Sequence, residues 1–467
     1  MAEEWTTLRE MLLPAAEETA RGRHGRSLEA ALRGAIRGGQ LPAGTRLPSS
    51  RDLAGQLGVA RGTVTAAYGQ LVAEGYLTSR RGSGTRVADD LGCTPSTEPG
   101  PAPPTARWRY DLRPGLPALS AFPRAEWLAA SRAALARLPD EALGYPDPAG
   151  LQELRTELAG YLGRVRAVTV TADDIVITHG AAEGLALLGA VLAARGRRDL
   201  AVEDPGHQGQ LELLTASGVR PCPVPADCDG IRVDLLAATE CRAALITAAH
   251  QFPLGTALPP QRRHALLAWA RERDGLVIED DYDAEHRYDR PALRAMQAMD
   301  PIRVAYVGSV SKTLAPALRL GWLVAPPWLR ADLVRRKRLT DLGCSPLPQA
   351  AFAGLLRSGG YDRHLRRTRL LYRRRRDALL AALAERLPAW QPIGIAAGLH
   401  VLLRLPDGMD DSVVHQGLAA RGVYAPALSE YARGAGGPGY PGLVLGYAAL
   451  SADRLRAAVA EIAETLT

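Results

Sequence analysis

This chain is almost without lysine. Of its 57 basic residues only Lys312 and Lys337 are lysines, and the rest are arginine. Arginine stays protonated and cannot serve as a free amine nucleophile, so side-chain Schiff-base chemistry is confined to two positions. Lys337 lies in Arg335-Arg336-Lys337-Arg338 and reads as one more surface charge. Lys312 lies in Gly308-Ser309-Val310-Ser311-Lys312-Thr313, just past the apolar run Val304-Ala305-Tyr306-Val307. That spacing puts its amine at the C-terminal end of a buried strand, where open α/β sheets bind ligands. Cysteine is also scarce: residues 93, 222, 228, 241 and 344 form no CxxC pair and leave an odd count. This excludes a disulfide framework and predicts reduced thiols. No stretch approaches the roughly 18 apolar residues of a membrane helix. The start, Met1-Ala2-Glu3-Glu4-Trp5, is acidic and unlike a signal peptide, so a cytoplasmic protein without a membrane partner is expected.

What is present is a long, basic chain with material for real cores. Its 467 residues are 47% apolar and exceed one typical domain. The net charge of +7 is unevenly spread. Residues 21–88 hold eleven arginines against Glu29, Asp52 and Glu74, a local excess of eight that suits an anionic polymer. Salt-laced surface helices are basic too, so charge alone does not decide. The run Cys93-Thr-Pro-Ser-Thr-Glu-Pro-Gly-Pro-Ala-Pro-Pro104 has five prolines and no hydrophobic period, the composition of a semi-rigid linker. The expected division is an N-terminal extension (1–24), a small basic domain (25–88), a linker (89–110) and a large domain (111–467).

In the small domain, Leu28, Leu32 and Ile36 recur at helical spacing before Gly38-Gly39. Leu47-Pro48-Ser49-Ser50 supplies a proline and a hydroxyl cap for a short helix ending at Leu57-Gly58. A third helix starts near Ala60-Arg61 and is expected to bury Val64, Tyr68, Leu71 and Val72. Two short helices joined by a glycine turn make a helix-turn-helix, and Thr78–Val87 reads as a glycine-tipped hairpin, a wing. Through LPSSRDLAGQLGVARGTVTAAYGQLVAEGYL and RRGSGTRV the segment resembles the winged helix of GntR-type regulators. The resemblance implies double-stranded DNA as partner. Arg61, Thr63 and Thr65 would reach the major groove, Arg51 would hold phosphate, and Arg81 and Gly82 would meet the minor groove. A winged helix used for protein contacts is the alternative, and it has no need of eleven arginines.

From Asp111 onward strand-like runs alternate with helical stretches, the pattern of a mainly parallel α/β sheet. Ile175-Val176-Ile177-Thr178 leads into His179-Gly180-Ala181-Ala182-Glu183-Gly184-Leu185, where a strand turns through small residues into a helix and offers backbone N–H groups to an anion. Gly275-Leu276-Val277-Ile278 leads to Glu279-Asp280-Asp281-Tyr282-Asp283. Four carboxylates at one strand end repel each other unless a cation sits there. A metal on Asp280, Asp281 and Asp283 is one solution, although no histidine stands at ligand spacing. The protonated ring nitrogen of pyridoxal phosphate is the other.

Together these pieces resemble fold type I of the pyridoxal-phosphate enzymes, the aspartate-aminotransferase fold, over nearly all of 111–467, with a small α+β subdomain from about 366. The resemblance implies that Lys312 carries the cofactor as an aldimine, Asp280 pairs with the pyridine nitrogen and Tyr282 with the ring hydroxyl. It implies phosphate contacts from Ser309, Arg319 and the backbone at Ala181 and Ala182, a stacking role for His207, and a reach by Tyr145 to the neighbouring subunit of a homodimer. A winged helix, a linker and this fold in one chain resemble the MocR-type (GabR-like) regulators, as do His250-Gln251-Phe252-Pro253 and the acidic strand end.

The chain departs from aminotransferases in places. Where an arginine usually holds the substrate carboxylate, Leu443-Val444-Leu445-Gly446-Tyr447 has Val444. His207 replaces the more usual tyrosine, and Glu183 stands where glutamine is common. The eight arginines of residues 363–376 could hold a compensating residue, or form a solvated face or a second DNA-facing surface. The expected function is a pyridoxal-phosphate-dependent transcriptional regulator that senses the cofactor, or an amine or amino acid, through Lys312. A homodimer would present two winged helices to two half-sites. The alternatives are an active aminotransferase with an accessory DNA-binding domain, and a decayed fold kept for dimerisation.

Overall fold

The computed structural model describes residues 24–80, 84–89, 108–289, 293–433 and 439–465. The chain separates into two compact units, 1–106 and 107–467. The expected N-terminal extension, apart from His24, and most of the linker, with Cys93, fall outside the described residues.

In the first unit, helices α1 (His24–Arg37), α2 (Ser50–Leu57) and α3 (Arg61–Ala73) precede a hairpin of β1 (Leu77–Arg80) and β2 (Gly84–Val87). The Ser49 hydroxyl accepts the Asp52 N–H and starts α2. Gly58, at φ 65°, ends it in the left-handed conformation that costs glycine little. Leu28, Leu32, Ile36, Leu53, Val64, Tyr68, Leu71, Leu77 and Val87 form the core. Val72, expected inside, is 37% exposed. The buried stripe of α3 runs through Val64, Ala67, Tyr68 and Leu71, and Val72 sits one residue past its edge. Strands β1 and β2 pair antiparallel with Leu77 opposite Val87, which makes the wing.

The second unit begins with the short β3 (Tyr110–Asp111). Its main sheet uses β4 (Ile175–Thr178), β5 (Asp199–Asp204), β6 (Arg220–Asp227), β7 (Gly230–Ile231), β8 (Ala243–Ile246), β9 (Leu276–Asp280), β10 (Val304–Ser309) and β11 (Gly321–Val324), in the order β4-β11-β10-β9-β8-β5-β6-β7. The run β10-β9-β8-β5-β6 is parallel, and β11 is antiparallel to both of its neighbours. The central strands β8, β9 and β10 open on unbroken buried apolar runs because helices cover both faces, whereas β6, next to the sheet edge, is only partly buried. Beyond it, β12 (Gln391–Ile393), β13 (His400–Arg404) and β15 (Gly442–Gly446) form a second sheet, while β14 (Val423–Tyr424) pairs with β3. Helix Gly360–Arg386 runs from one core to the other: Tyr361 and Leu365 pack with the main sheet, and Tyr372 and Leu379 pack with the small one. The architecture is α/β, with a mainly parallel central sheet and a small C-terminal α+β part. Among the described residues no helix is long and apolar enough to cross a membrane.

Candidate functional site

The parallel register sets the site. Asp280 ends β9 beside Val307, two residues before the end of β10 at Ser309, so both strand ends deliver their last side chains to one edge. On the far side of β10, β11 brings Gly321 opposite Thr178 at the end of β4. A Cβ on Gly321 would lie 2.7 Å from the Gly180 Cα, so only glycine lets the turn after β4 lie this close to the sheet. The edge holds a cavity of about 580 Å³. Lys312, Asp280, Tyr282, Ser309, Arg319, Ala181, Ala182 and His207 all line it. Tyr145 does not, standing 89% exposed on a surface loop of its own chain.

Burial sets the chemistry of these groups. The Lys312 amine is pushed below its ordinary pKa by loss of water, against the opposing pull of Asp283 and Asp280. A lowered amine pKa raises the fraction of free nucleophile. Gly115 packs on this amine, since a Cβ there would be 3.0 Å from Nζ. Burial pushes the Asp280 carboxyl up to about 6, moderated by Gln210, whose Nε2 donates to Oδ2 at 2.6 Å. The other oxygen, Oδ1, is buried with no partner. His207 caps helix Gln208–Ala216 by accepting the Gln210 N–H, and its ring lies 5.6 Å from that of Phe252. Burial and the Lys312 charge hold its pKa down. Arg319 sits in the left-handed region at φ 49° and donates to the His179 carbonyl. Helix Ala181–Ala194 starts after Gly180 with no side-chain cap, which leaves its first N–H groups for an anion.

The acidic strand end resolves into separate partners. Asp281 is buried on Arg166 at 2.7 Å and accepts the Tyr306 hydroxyl at 2.6 Å. Asp283 meets His250 Nδ1 at 2.9 Å, and Glu279 accepts the backbone N–H groups of Met296 and Gln297. The carboxylates of Asp280, Asp281 and Asp283 therefore do not converge as the metal alternative requires. A histidine distant in sequence, His250, does reach Asp283, and its Nδ1 is also 3.1 Å from the Tyr282 hydroxyl.

Several neighbours of the site emerge only in the structure. Gln210 lies one helical turn after His207, a spacing that was there to be read; His250 stood out only as part of a family-like loop with no role attached, and Arg166 carries no local signal. Lys337, expected as a surface charge, is fully buried. Val444 is fully buried among Ala226, Leu254, Leu402 and Leu428, and does not line the cavity. Nor does any arginine of residues 363–376; among the described residues the arginines in the wall are Arg113 and Arg319.

In the first unit, Arg51, Arg61 and Thr65 are exposed and Thr63 is half-buried, all on α2 and the first turns of α3. The Thr65 hydroxyl donates to the Arg61 carbonyl at 3.0 Å. Arg81 and Gly82 lie outside the described residues.

An unpartnered, buried Asp280 oxygen, an amine whose pKa burial lowers and a helix start free for an anion together fit pyridoxal phosphate. Its ring N–H, aldehyde and phosphate match those three features in turn. Comparisons with known proteins agree. Residues 119–462 match the family "Aminotransferase class I and II", and residues 25–87 match "Bacterial regulatory proteins, gntR family". The chain is 37% identical to the HTH-type pyridoxine biosynthesis transcriptional regulator PdxR of Corynebacterium glutamicum, over 92% of this chain and 93% of that protein. It is 32% identical to the probable rhizopine catabolism regulatory protein MocR of Rhizobium meliloti, over 92% and 91%. Among solved structures it is similar to Pyrococcus horikoshii kynurenine aminotransferase, at 26% identity and a TM-score of 0.69, over 78% of this chain and 91% of that one.

Proposed function

This chain belongs to the MocR-type transcriptional regulators, a gntR-family DNA-binding domain joined to an aminotransferase-like domain that uses pyridoxal phosphate, and from that premise we propose that it senses the cofactor itself through Lys312. One observation carries this reading. Lys312 and an Asp280 carboxylate with one unpartnered oxygen share a cavity whose arginines among the described residues, Arg113 and Arg319, do not include one at the Val444 position. The name of the Corynebacterium relative, a pyridoxine biosynthesis regulator, points the same way. A small amine or amino acid is the other ligand this cavity can admit.

When bound, pyridoxal phosphate supplies an aldehyde that condenses reversibly with an amine. Lys312 provides that amine. Asp280 holds the ring proton, and Tyr282, held by His250, donates toward the ring hydroxyl. Ser309, Arg319 and the N–H groups of Ala181 and Ala182 bind phosphate, and His207 covers the ring. The winged helix reads DNA with Arg61, Thr63 and Thr65 in the major groove, Arg51 on phosphate, and Arg81 and Gly82 at the minor groove. Occupancy of the cavity alters promoter binding only through a difference in ligand affinity between two arrangements of the protein.

The working form is a cytoplasmic homodimer on two half-sites. Leu143, Tyr145, Leu342 and Leu347 are exposed, and Gly343 packs on the loop that follows Tyr145, so these residues form an apolar face suited to a second copy. Spectroscopy tests the ligand reading. Wild type reconstituted with pyridoxal phosphate gives a visible absorbance band that Lys312→Ala lacks; an identical band in both would overturn it.

A further inference from the structure

The function above uses one of the two lysines. The other, Lys337, sits on helix Pro327–Asp341 and is fully buried, although Arg335, Arg336 and Arg338 surround it in sequence. Its amine donates to Glu183 Oε1 at 2.9 Å, to Glu183 Oε2 at 3.0 Å and to Asp341 Oδ2 at 2.8 Å. An ammonium has three donors, and here all three are used. Burial lowers the pKa, but the bonds to Asp341 and Glu183 outweigh it and the group stays charged. A lysine suits this spot because it is a compact point charge. A planar guanidinium with five donors would need more room and more acceptors.

The partners of Lys337 lead directly to the cavity. Glu183 accepts the His179 N–H at 2.6 Å, and Arg319 donates to the His179 carbonyl. The His179 ring nitrogen Nδ1 is 3.1 Å from Asp341 and 3.3 Å from Glu183. The turn at His179-Gly180 is thus gripped at its N–H, its carbonyl and its side chain. Gly180, at φ 88°, contributes no cap of its own, so these grips set where the Ala181 and Ala182 N–H groups point. Glu183, Asp341, His179 and Cys344 bring their ligand atoms within 4.8 Å of one another, a spacing that suits a cation. Lys337 is the cation that meets the two carboxylates.

We propose that Lys337 is a positioning residue for the cofactor phosphate: by neutralising Glu183 and Asp341 it holds the His179–Ala182 turn in its anion-binding geometry. The proposal rests on the reading that Ala181, Ala182, Ser309 and Arg319 bind that phosphate. Loss of the lysine would leave two adjacent, half-buried carboxylates to repel, and Glu183 would move off the His179 N–H.

The test compares pyridoxal phosphate with pyridoxal, which differs by the phosphate alone. Full-length, cofactor-stripped wild type, Lys337→Met and the double variant Lys337→Met/Glu183→Gln are titrated with each, following the visible band. Wild type should prefer the phosphorylated form. In Lys337→Met that preference should fall by roughly tenfold or more, about 1.4 kcal/mol, with pyridoxal affinity unchanged. The double variant should recover most of it, because glutamine still accepts from His179 without a second negative charge. Lys337→Arg should not rescue. If Lys337→Met does not fold, Lys337→Met/Glu183→Leu is compared with the glutamine double variant, and only the leucine form should lose the preference. An unchanged preference, or equal loss of affinity for both compounds, would overturn the proposal. A wild type that gives no band with either compound would instead remove the reading of the cavity beneath it.

Discussion

In the winged-helix unit Arg51, Arg61 and Thr65 stand exposed on an apolar core, and no charged side chain among its described residues is buried. The larger unit does the reverse, burying Glu279, Asp280, Asp281, Asp283, Glu285, Arg166 and Lys337. The difference follows from what each unit binds. A DNA backbone is met at a surface, where arginines work in water and through counterion release. A small cofactor is met in a cavity, where each charge needs a partner or a shifted pKa. Stability and ligand binding are therefore separable in the first unit and opposed in the second.

The sharpest way to break that contrast is Asp280→Asn. Its carboxyl titrates near 6 against an ordinary 3.8 because it is buried. An acid whose folded pKa is raised destabilises the fold above that pKa, and the cost fades as pH falls through 6 toward the unfolded value. The cofactor-free variant should therefore be more stable than wild type at neutral pH, by about 1–3 kcal/mol, a gain that shrinks below pH 6 in thermal melts. Cofactor binding should weaken by roughly 2–5 kcal/mol, measured by titration of the visible band. A variant that loses both stability and binding would mean that Asp280 is merely structural.

In the first unit the same kind of change should leave stability alone. Arg61→Ala should cost about 1–3 kcal/mol on operator DNA and relax preference at one base position, with an unchanged melting temperature. Arg51→Ala should weaken binding evenly across sequences and reduce the salt slope by about 1, read from affinity against salt concentration. Either substitution melting the unit would erase the contrast.

The two units also differed in how far they could be read. The winged helix is local: Ser49, Gly58 and the stripe of Val64, Tyr68 and Leu71 are signals within a few residues of what they determine. Among the residues expected in its core, Val72, at the edge of its stripe, is exposed instead. In the larger unit the convergence of Lys312, Asp280, Ser309 and Arg319 on one cavity was legible because strand ends and a small-residue turn mark ligand sites in α/β sheets. Their supports were not. Arg166 reaches Asp281 across 115 residues and Lys337 reaches Glu183 across 154, separations that only the strand order closes. Lys337 looked superficial because its sequence neighbours are arginines, whereas on a helix burial is decided by face.

Under the proposed function, cavity occupancy is coupled to promoter binding through Lys312. Affinity of the full chain for its own upstream DNA, measured with increasing pyridoxal phosphate in wild type and Lys312→Ala, tests it directly. A cofactor-dependent change in wild type that is absent from the variant is the predicted result. Equal DNA affinity with and without the cofactor, in a wild type that carries the absorbance band, would contradict it.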